Sequence, residues 1–449
     1  IMANFLLHQL VPLKPYVMPV NPFETRKDAK SSLPGIKQTL AHIQSGKPFG
    51  MFPAGEVSTH LEGRSVVDKP WAEEAMRLVQ KAQVPVIPIY FHAKNSAAFY
   101  RLAKLNANLR TARLPVEVFK QSHRPIGVRI GNAISVKEQH ALTGMEEYSD
   151  FLRRKTYFLT NSYEKRNLLG NFPKQIKFPL KRPPKSIADE VASEALEREI
   201  QDCRDQSRRL LISKNYEVFI AERADIPNIV LELGRLREIT FRSIGEGTNK
   251  SLDLDRYDDY YQHMFLWDHH AKRLAGAYRM GLGSQIFKTH GINGFYLNEL
   301  FRFEPEVHTV MSQSIEMGRA FIISEYQQKP MPLFLLWKGI VHCTLRYPEH
   351  KYLIGGVSIS NKFSKFSKSM MIEFMKSNYY DPYMAQFVRP KKEFKVKLKD
   401  SDKDFVFDAT KADLTKFDKI INEIEPGNLR LPVLIKKYIK HNAKVVAFN

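Results

Sequence analysis

A short apolar stretch, residues 49–52, leads directly into the turn Pro53-Ala54-Gly55, which Glu56 and Ser58 follow. Glycine lets a ligand approach the main chain closely, and a turn of this kind presents backbone N–H groups. With a carboxylate and a hydroxyl beside it, the turn is suited to hold a polar or anionic head group. We therefore expect a substrate site made by Phe52, Pro53, Gly55, Glu56 and Ser58.

The sequence around this turn alternates helical and extended segments. Residues 34–43 and 71–83 have the apolar spacing of helices, whereas 49–52, 84–91 and 126–130 are typical of strands. The 84–91 segment is apolar enough to predict a buried strand. Alternation of this kind predicts an α/β layer fold.

A second series of elements begins with a strand at residues 216–222. Asp225 is placed to cap the next helix, with Pro227 in its first turn. Farther on, a polar tip at residues 269–273 joins two extended segments into a β-hairpin. Further strands are predicted at 333–336, 352–359 and 443–448, and helices at 187–212 and 366–376.

These patterns predict an α/β protein of two domains. The first covers residues 1–160 and the last 213–449, with 161–212 as a basic, proline-containing linker and a charged helix. A chain of 449 residues that is 43% hydrophobic has enough apolar material for two cores.

The composition limits the functional classes. Cys203 and Cys343 are far apart and form no C-x-x-C pair, so neither a disulfide framework nor a metal site is predicted. No apolar run approaches the ~18 residues that span a bilayer. The net charge of +21 favours anionic lipid or an acidic protein as partner, or a merely solubilising surface. Because no RNP block, zinc-finger spacing or basic zipper is present, nucleic acid is not expected.

The turn at residues 52–58 resembles the F-P-E-G-T-R-S block of the glycerolipid acyltransferase superfamily. Phe52, Pro53, Gly55 and Ser58 match it, while Ala54 and Val57 depart from it. The segments 84–88 and 109–115 resemble two further blocks, the latter from the hemolysin-like branch that makes aminolipids. The resemblance implies O-acyl transfer to a lipid.

That superfamily uses an H-x-x-x-x-D block, with His as the base. In this chain the spacing occurs only at His263 and Asp268, within a predicted strand. An offset of five residues puts the two side chains on opposite faces of a strand, so they cannot form a dyad. We therefore expect the first domain, as this chain begins, to lack its base and to transfer no acyl group.

The second domain contains an ordered series of four motifs. They are Arg237-x-x-x-Phe241, Asp255-x-x-Asp258, Gly276-x-x-Arg279 and Glu316-x-x-Arg319. The order resembles the acyl-homoserine-lactone synthases and the ornithine-lipid N-acyltransferases, a branch of the GCN5-related acetyltransferase fold. The resemblance covers residues 215–449 and implies a mixed sheet flanked by helices.

The same resemblance implies the roles of these residues. Glu316 would be the catalytic base, acting through water on the amine. The other members, Arg237, Phe241, Asp255, Asp258, Arg279 and Arg319, would form the substrate-binding set around the donor entrance and the amino-acid pocket.

The donor follows from a missing motif. The pyrophosphate loop of acetyl-CoA users would fall at residues 273–278, where its last glycine or alanine is absent. This favours a thioester on acyl carrier protein, an acidic partner that the positive charge would attract, with acyl-CoA as the alternative donor and no other cofactor.

The leading hypothesis is an acyltransferase of aminolipid biosynthesis, peripheral on the cytoplasmic face of the membrane. Its second domain would N-acylate ornithine or glycine from a (3-hydroxy)acyl carrier protein, and its first domain, when intact, would O-acylate the lyso-lipid. One alternative is a lysophospholipid O-acyltransferase whose second domain binds carrier protein without catalysis. Another is a non-catalytic basic scaffold that binds membrane or nucleic acid.

Overall fold

The fold was analysed in a computed structural model of the chain. The residues it describes are 1–4, 11–20, 33–60, 66–105, 113–114, 116–117, 125–142, 144–160, 184–398, 413–425 and 429–449. The predicted linker at 161–183 and most of the motif at 109–115 lie outside them. The chain divides into two compact units, unit 1 with residues 1–165 and 423–428, and unit 2 with residues 166–422 and 429–449.

Unit 1 is built from short helices and three two-stranded ribbons in the described part. The ribbons pair β1 (Met2–Asn4) with β2 (Met18–Val20), β3 (Thr59–His60) with β4 (Val66–Val67), and β5 (Ile89–His92) with β6 (Gly127–Ile130). Its helices are α1 (Leu33–Gln44), α2 (Glu73–Ala82), α3 (Ala97–Leu105), α4 (Val136–His140) and α5 (Met145–Phe158). One core cluster joins α2 to α5 through Met76, Tyr148 and Leu152.

One strand prediction in unit 1 is wrong, and another is confirmed only in part. Of residues 49–52, only Met51 makes a β-contact, an isolated bridge to Met2. The strand predicted from residue 84 begins at Ile89, because Pro85 and Pro88 cannot donate a main-chain hydrogen bond. It is not buried either, since Ile89 and Phe91 are 42% and 47% exposed.

Unit 2 is organised around a six-stranded mixed sheet. The strands are β7 (Arg209–Ser213), β8 (Tyr216–Ala221), β9 (Gln262–Asp268), β10 (Arg273–Leu282), β12 (Ser314–Ile322) and β13 (Tyr352–Gly355), and a separate ribbon pairs β11 (Phe301–Phe303) with β14 (Val388–Pro390). The spatial order of the sheet is β13-β12-β10-β9-β8-β7, and every pair is antiparallel except the parallel pair β12/β13. The predicted hairpin is confirmed as β9 and β10.

Helices flank both faces of this sheet. The helices of unit 2 are α6 (Ser193–Asp205), α7 (Pro227–Ser243), α8 (Gly283–His290), α9 (His308–Ser312), α10 (Ser324–Gln327), α11 (Pro330–Arg346), α12 (Lys365–Tyr379), α13 (Pro382–Ala385), α14 (Leu414–Ile424) and α15 (Val433–Lys440). In β9, His263 contacts Arg237 of α7, whereas Met264 packs against Gly339 of α11. Since neighbouring residues of a strand point to opposite faces, α7 and α11 cover opposite sides.

A close approach fixes α7 against the chain that follows it. A Cβ on Gly234 would lie 2.7 Å from Leu254 Cγ, so only glycine leaves room for this leucine. The contact brings residues 253–258, which carry the buried Asp253 and Asp258 and the partly buried Asp255, beside the helix that carries Arg237. The division into two α/β units confirms the architecture that the sequence predicts.

Several boundaries in unit 2 differ from the predictions. Residues 333–336 belong to helix α11 and not to a strand, because an apolar run without period-two alternation fits a buried helix as well. The predicted strand 443–448 contains one isolated bridge, Val445 to Tyr380. The predicted helix 187–212 is α6 followed by β7, and Ile226, not Asp225, occupies the N-cap position of α7.

Among the described residues, none of the helices combines the length and the apolar character needed to cross a bilayer.

Candidate active site

Four charged side chains from three elements form a buried cluster in unit 2. Arg237 Nη1 of α7 lies 2.6 Å from Asp258 Oδ1, and neither side chain is exposed to solvent. Arg279 Nη1 of β10 lies 2.6 Å from Asp255 Oδ1 and 3.1 Å from Asp258 Oδ2. Burying charges is costly unless they are paired, so the tertiary structure must hold these two arginines against two carboxylates.

The local sequence folds the two aspartates into position. Asp255 is the N-cap of a short 3₁₀ helix, Arg256–Asp259, and its side chain accepts a hydrogen bond from Tyr257 N. Asp258 accepts one in return from Asp255 N at 2.8 Å, which completes a capping box. The D-x-x-D spacing therefore orients both carboxylates through local hydrogen bonds that do not involve the arginines.

Asp258 and Arg279 keep their charges at neutral pH. Burial alone would raise the pKa of Asp258, but the guanidinium groups of Arg237 and Arg279 outweigh it and hold that pKa well below its usual range. Burial would lower the pKa of Arg279, yet the two carboxylates raise it above the ordinary value. His263 is neutral, because burial and then Arg237 lower its pKa to about 4.

His263 and Asp268 do not act together, as their spacing in a strand predicted. His263 lies between Arg237 Nη2 at 3.4 Å and the carbonyl oxygen of Asp258 at 3.1 Å. The carboxylate of Asp268 instead accepts hydrogen bonds from Asn215 Nδ2 and the Tyr326 hydroxyl, both at 2.7 Å.

Glu316 is buried on β12 and holds a neighbouring turn. Its carboxylate accepts hydrogen bonds from the Tyr261 hydroxyl, from Tyr296 N at 3.0 Å and from Leu297 N at 2.7 Å. Burial raises its pKa, although these donors oppose the increase. A carboxyl group with a raised pKa binds a proton more readily than an ordinary one, as a general base requires.

Arg319 lies on a bulge where two parallel strands separate. β12 pairs with β13 only from Ser314 to Met317, and the register against β10 shifts directly afterwards. Arg319 has φ 49°, a left-handed conformation uncommon for a residue with a side chain. Its Nε lies 3.2 Å from Asp253 Oδ2, and the guanidinium lies 5.3 Å from the centre of the Tyr296 ring.

The gap beside this bulge is open. A Cβ on Gly318 would have no neighbour within 4 Å, whereas one on Gly355 would meet Met317 O at 2.7 Å. Strands β12 and β13 are thus in close contact up to Met317 and Gly355, and space opens at Gly318. Arg319 lies at this opening with 22% of its side chain accessible, and it is the part-exposed arginine of the cluster.

Phe241 lies apart from the charged cluster. It is half-buried on the last turns of α7, where its ring packs edge-on against Phe321 at 6.4 Å. The structure therefore brings together Arg237, Asp255, Asp258, Arg279 and Arg319, places Glu316 next to them, and assigns Phe241 to packing contacts.

A separate cavity of about 280 Å³ lies elsewhere in unit 2. Leu196 of α6, Leu236 of α7 and Leu274 of β10 line it, together with Glu232 and Arg273. None of the predicted site residues borders it, so it provides no support for the predicted chemistry.

In unit 1 the predicted head-group turn forms, but its polar side chains are already engaged. Gly55 has φ 68°, and its N–H donates to Phe52 O at 3.1 Å. The Ser58 hydroxyl donates to Asp68, and Glu56 pairs with Lys69 at 2.5 Å. Phe52, beside Pro53, is 65% exposed, which leaves an apolar surface next to the turn.

Two protein families match these two units separately. The family described as Acyltransferase matches residues 1–166, and the family described as Acetyltransferase (GNAT) domain matches residues 236–337. The chain joins an acyltransferase domain to a GNAT domain. All seven predicted site residues of unit 2 lie within the GNAT match, and the turn at 52–58 lies within the acyltransferase match.

Curated relatives are acyltransferases as well. The chain is 29% identical to a glycine N(alpha)-acyltransferase of Bacteroides thetaiotaomicron, over 56% of this chain and 77% of the relative. A protein of the same name from Phocaeicola vulgatus is 28% identical, over 56% of this chain and 78% of the relative. The chain is also 32% identical to a lyso-glycine lipid O-acyltransferase of B. thetaiotaomicron, but it spans only about half that protein, 49% of it, and 30% of this chain is covered. No solved structure matches this chain.

The protein is therefore an acyltransferase, and its GNAT domain contains site residues that sequence reasoning missed. Tyr257, Tyr261 and Tyr296 surround the Arg279 guanidinium at 5.4, 5.3 and 5.7 Å from their ring centres. Asp253, which pairs with Arg319, is 2% exposed. The tyrosine-rich segment 257–261 was the available signal, but only the fold brings Tyr296 beside it.

In the described part of the acyltransferase domain, Asp68 is a further residue that sequence reasoning missed. Asp68 accepts the Ser58 hydroxyl, its N–H donates to the Tyr157 hydroxyl at 2.7 Å, and its carbonyl accepts from Arg153 Nη2 at 2.8 Å. Among the described residues no group of three or more His, Cys, Asp or Glu could hold a metal ion.

Proposed function

We propose that this chain is a bifunctional aminolipid synthase, in which the GNAT domain N-acylates glycine and the acyltransferase domain acts on the resulting lyso-lipid. The observation that carries the proposal is the similarity of one chain to both a glycine N-acyltransferase and a lyso-glycine lipid O-acyltransferase. The two names describe consecutive steps. An N-acylglycine whose acyl chain carries a hydroxyl still has one group that can be esterified.

The charged cluster supports the first step. A free amino acid presents a carboxylate, and Arg319 is the part-exposed guanidinium at the open end of the β12/β13 gap. Arginine suits this task because it binds a carboxylate through two parallel hydrogen bonds. Arg237 and Arg279 are buried against Asp258 and Asp255, so they would position the pocket rather than contact the substrate.

Glu316 supplies the base in this proposal. The neutral amine attacks the thioester carbonyl, the C–N bond forms and the C–S bond breaks. The amine proton passes through a water molecule to Glu316 and then to the leaving thiolate. The raised pKa of Glu316 supports this role, and so does its position two residues along β12 from Gly318.

The gap between β12 and β13 would receive the donor. Beyond Met317 the main chain of β12 no longer pairs with β13, so its N–H groups could polarise the thioester carbonyl. A narrow gap suits the thin arm of a carrier-protein thioester, and we retain that donor with acyl-CoA as the alternative. The site of action would be the cytoplasmic face of the membrane, where the amphiphilic product remains.

Mass spectrometry of lipids from bacteria that express this chain tests the proposal. The expected result is a new amide-linked acylglycine, with the mass of the glycine headgroup confirmed by feeding ¹³C-glycine. A diacylated glycine lipid would assign the ester-forming step to this chain as well. If soluble protein and carrier protein are both present and no labelled lipid forms, the proposal is wrong.

A further inference from the structure

We propose that a basic ribbon, formed by β11 and β14 with the segment after β14, is the docking surface for the acidic carrier protein that delivers the acyl thioester. The inference rests on the proposed function, because it concerns the donor of that reaction. The exposed basic residues of the ribbon are Arg302, Arg389, Lys391, Lys392, Lys395 and Lys397.

The ribbon places like charges directly opposite each other. In the antiparallel pair β11/β14, Arg302 is the register partner of Arg389. Like charges that face each other across a ribbon destabilise it. Arg389 has a carboxylate nearby, Glu304 at 3.3 Å, but no described residue forms an ion pair with Arg302. An anionic partner would relieve this repulsion.

The segment after β14 extends the positive surface. Lys391, Lys392, Lys395 and Lys397 are all exposed within seven residues, and Glu393 is the single acidic residue among them. The six basic residues outnumber the nearby acidic residues Glu304, Glu306 and Glu393, so the local field is positive. A surface of one sign raises the rate at which an oppositely charged protein arrives.

The ribbon is connected to the mouth of the β12/β13 gap. Lys391 N donates to Leu300 O at 2.8 Å, and Lys391 Nζ donates to Asn298 O. These carbonyls belong to the turn whose Leu297 N–H is held by Glu316, and a Cβ on Gly356 would lie 3.3 Å from Leu297 Cδ2. A protein seated on the ribbon would thus stand beside the strand ends where the thioester must enter.

The ribbon favours a protein over a bilayer as its occupant. An element that binds a membrane interface exposes apolar side chains together with basic ones. Here the apolar residues of the two strands point away from solvent, since Phe301 and Phe303 are half-buried and Val388 is buried. The outward positions carry charge only, which fits the acidic surface of a folded partner.

The test measures binding of a fluorescently labelled bacterial acyl carrier protein, loaded with a long 3-hydroxyacyl chain, to the full chain. The double variant Arg302→Glu/Arg389→Glu should weaken binding at least tenfold and flatten its dependence on salt. The double variant Lys214→Glu/Lys338→Glu makes the same change of charge on exposed lysines outside the ribbon and should have little effect. Amide formation from the small donor acyl-pantetheine should change less than twofold in both variants.

Three results would overturn the inference. Equal binding by the ribbon variant and the native chain would do so, and so would equal losses in the two double variants. The third is loss of binding to phosphatidylglycerol vesicles with carrier-protein binding intact, which would make the ribbon a membrane contact. Failure of the proposed function would give a different result, because no amide would form from either donor. The measurement of carrier-protein binding would still test the role of the ribbon.

Discussion

Arg237 and Asp258 form an ion pair with no solvent exposure, in which Nη1 lies 2.6 Å from Oδ1. The arginine comes from α7 and the aspartate from the 3₁₀ helix before β9, so the pair joins two segments that are separate in sequence. Arg279 contacts the same aspartate from β10. One carboxylate therefore pairs with two guanidinium groups, and its loss would affect three elements together.

Asp258→Asn should strongly destabilise the GNAT domain. Removing one partner leaves a buried charge without compensation, which costs about 3–5 kcal/mol. The pKa of Asp258 is depressed in the folded state, so its contribution is present above the unfolded pKa and is lost as the pH falls through the folded one. Urea unfolding at several pH values should show a large difference from the native chain at pH 7. That difference should shrink in strong acid, and a constant difference would contradict the assignment.

Glu316→Gln should abolish amide formation and also lower the melting temperature. Three donors converge on this carboxylate, so an amide NH₂ group would face an N–H or O–H donor that it cannot pair with. Thermal melting and single-turnover amide formation should be measured on the same sample. A variant with native stability and native activity would show that Glu316 neither acts as the base nor holds the turn.

Tyr261→Phe separates these two roles. The Tyr261 hydroxyl donates to Glu316 and so helps to keep its pKa down. Without that donor the pKa should rise further, and the acidic limb of kcat/KM against pH should move to higher pH. The carboxylate and its two main-chain partners remain. An unchanged pH profile would indicate that Glu316 does not take the amine proton.

Arg319→Lys should raise the KM for glycine about tenfold while kcat changes much less. Lysine keeps the positive charge beside Asp253 but cannot bind a carboxylate through two hydrogen bonds. Asp253→Asn should give a smaller increase, because it removes the partner that orients the guanidinium. Initial rates at varied glycine check both variants. A change in kcat alone would place Arg319 in the chemical step and not in acceptor binding.

Gly318→Ala should affect activity and not stability, whereas Gly234→Ala should affect stability. A Cβ on Gly318 meets nothing within 4 Å, whereas one on Gly234 lies 2.7 Å from Leu254. We expect the first to leave stability nearly unchanged and to slow acyl transfer by narrowing the gap. The second should lose about 1–3 kcal/mol through overpacking. Chemical denaturation and donor KM, measured on both, distinguish these outcomes. Loss of stability in the Gly318 variant would mean that the gap is a packed interface.

Gly55→Ala tests the head-group turn of the acyltransferase domain. At φ 68° a side chain is strained, so the substitution should cost about 1 kcal/mol although no atom lies within 4 Å of the new Cβ. Gly144→Ala is the matched control, since that residue has an extended conformation at a helix N-cap. Equal losses from the two would argue against strain as the cause.

Much of the fold followed from local pattern. The β9/β10 hairpin could be predicted because a short polar tip separates two apolar strands. Residues 333–336 were assigned to the wrong class because a short apolar run is compatible with a strand and with a buried helix, and only its packing on the sheet decides. The strand predicted at 84–91 is confirmed only from Ile89 onward, because its prolines limit the main-chain hydrogen bonds that a strand needs.

The sequence by itself determined the types and the order of the charged residues. The D-x-x-D spacing fixes a local capping box, and the E-x-x-R spacing puts Glu316 and Arg319 on one strand. Only the tertiary structure decided the partners: which carboxylate neutralises which guanidinium, that Phe241 packs against Phe321, and that Tyr296 reaches Arg279. The reason is physical. Capping depends on residues three apart, whereas burying a charge depends on which distant elements meet there and exclude water.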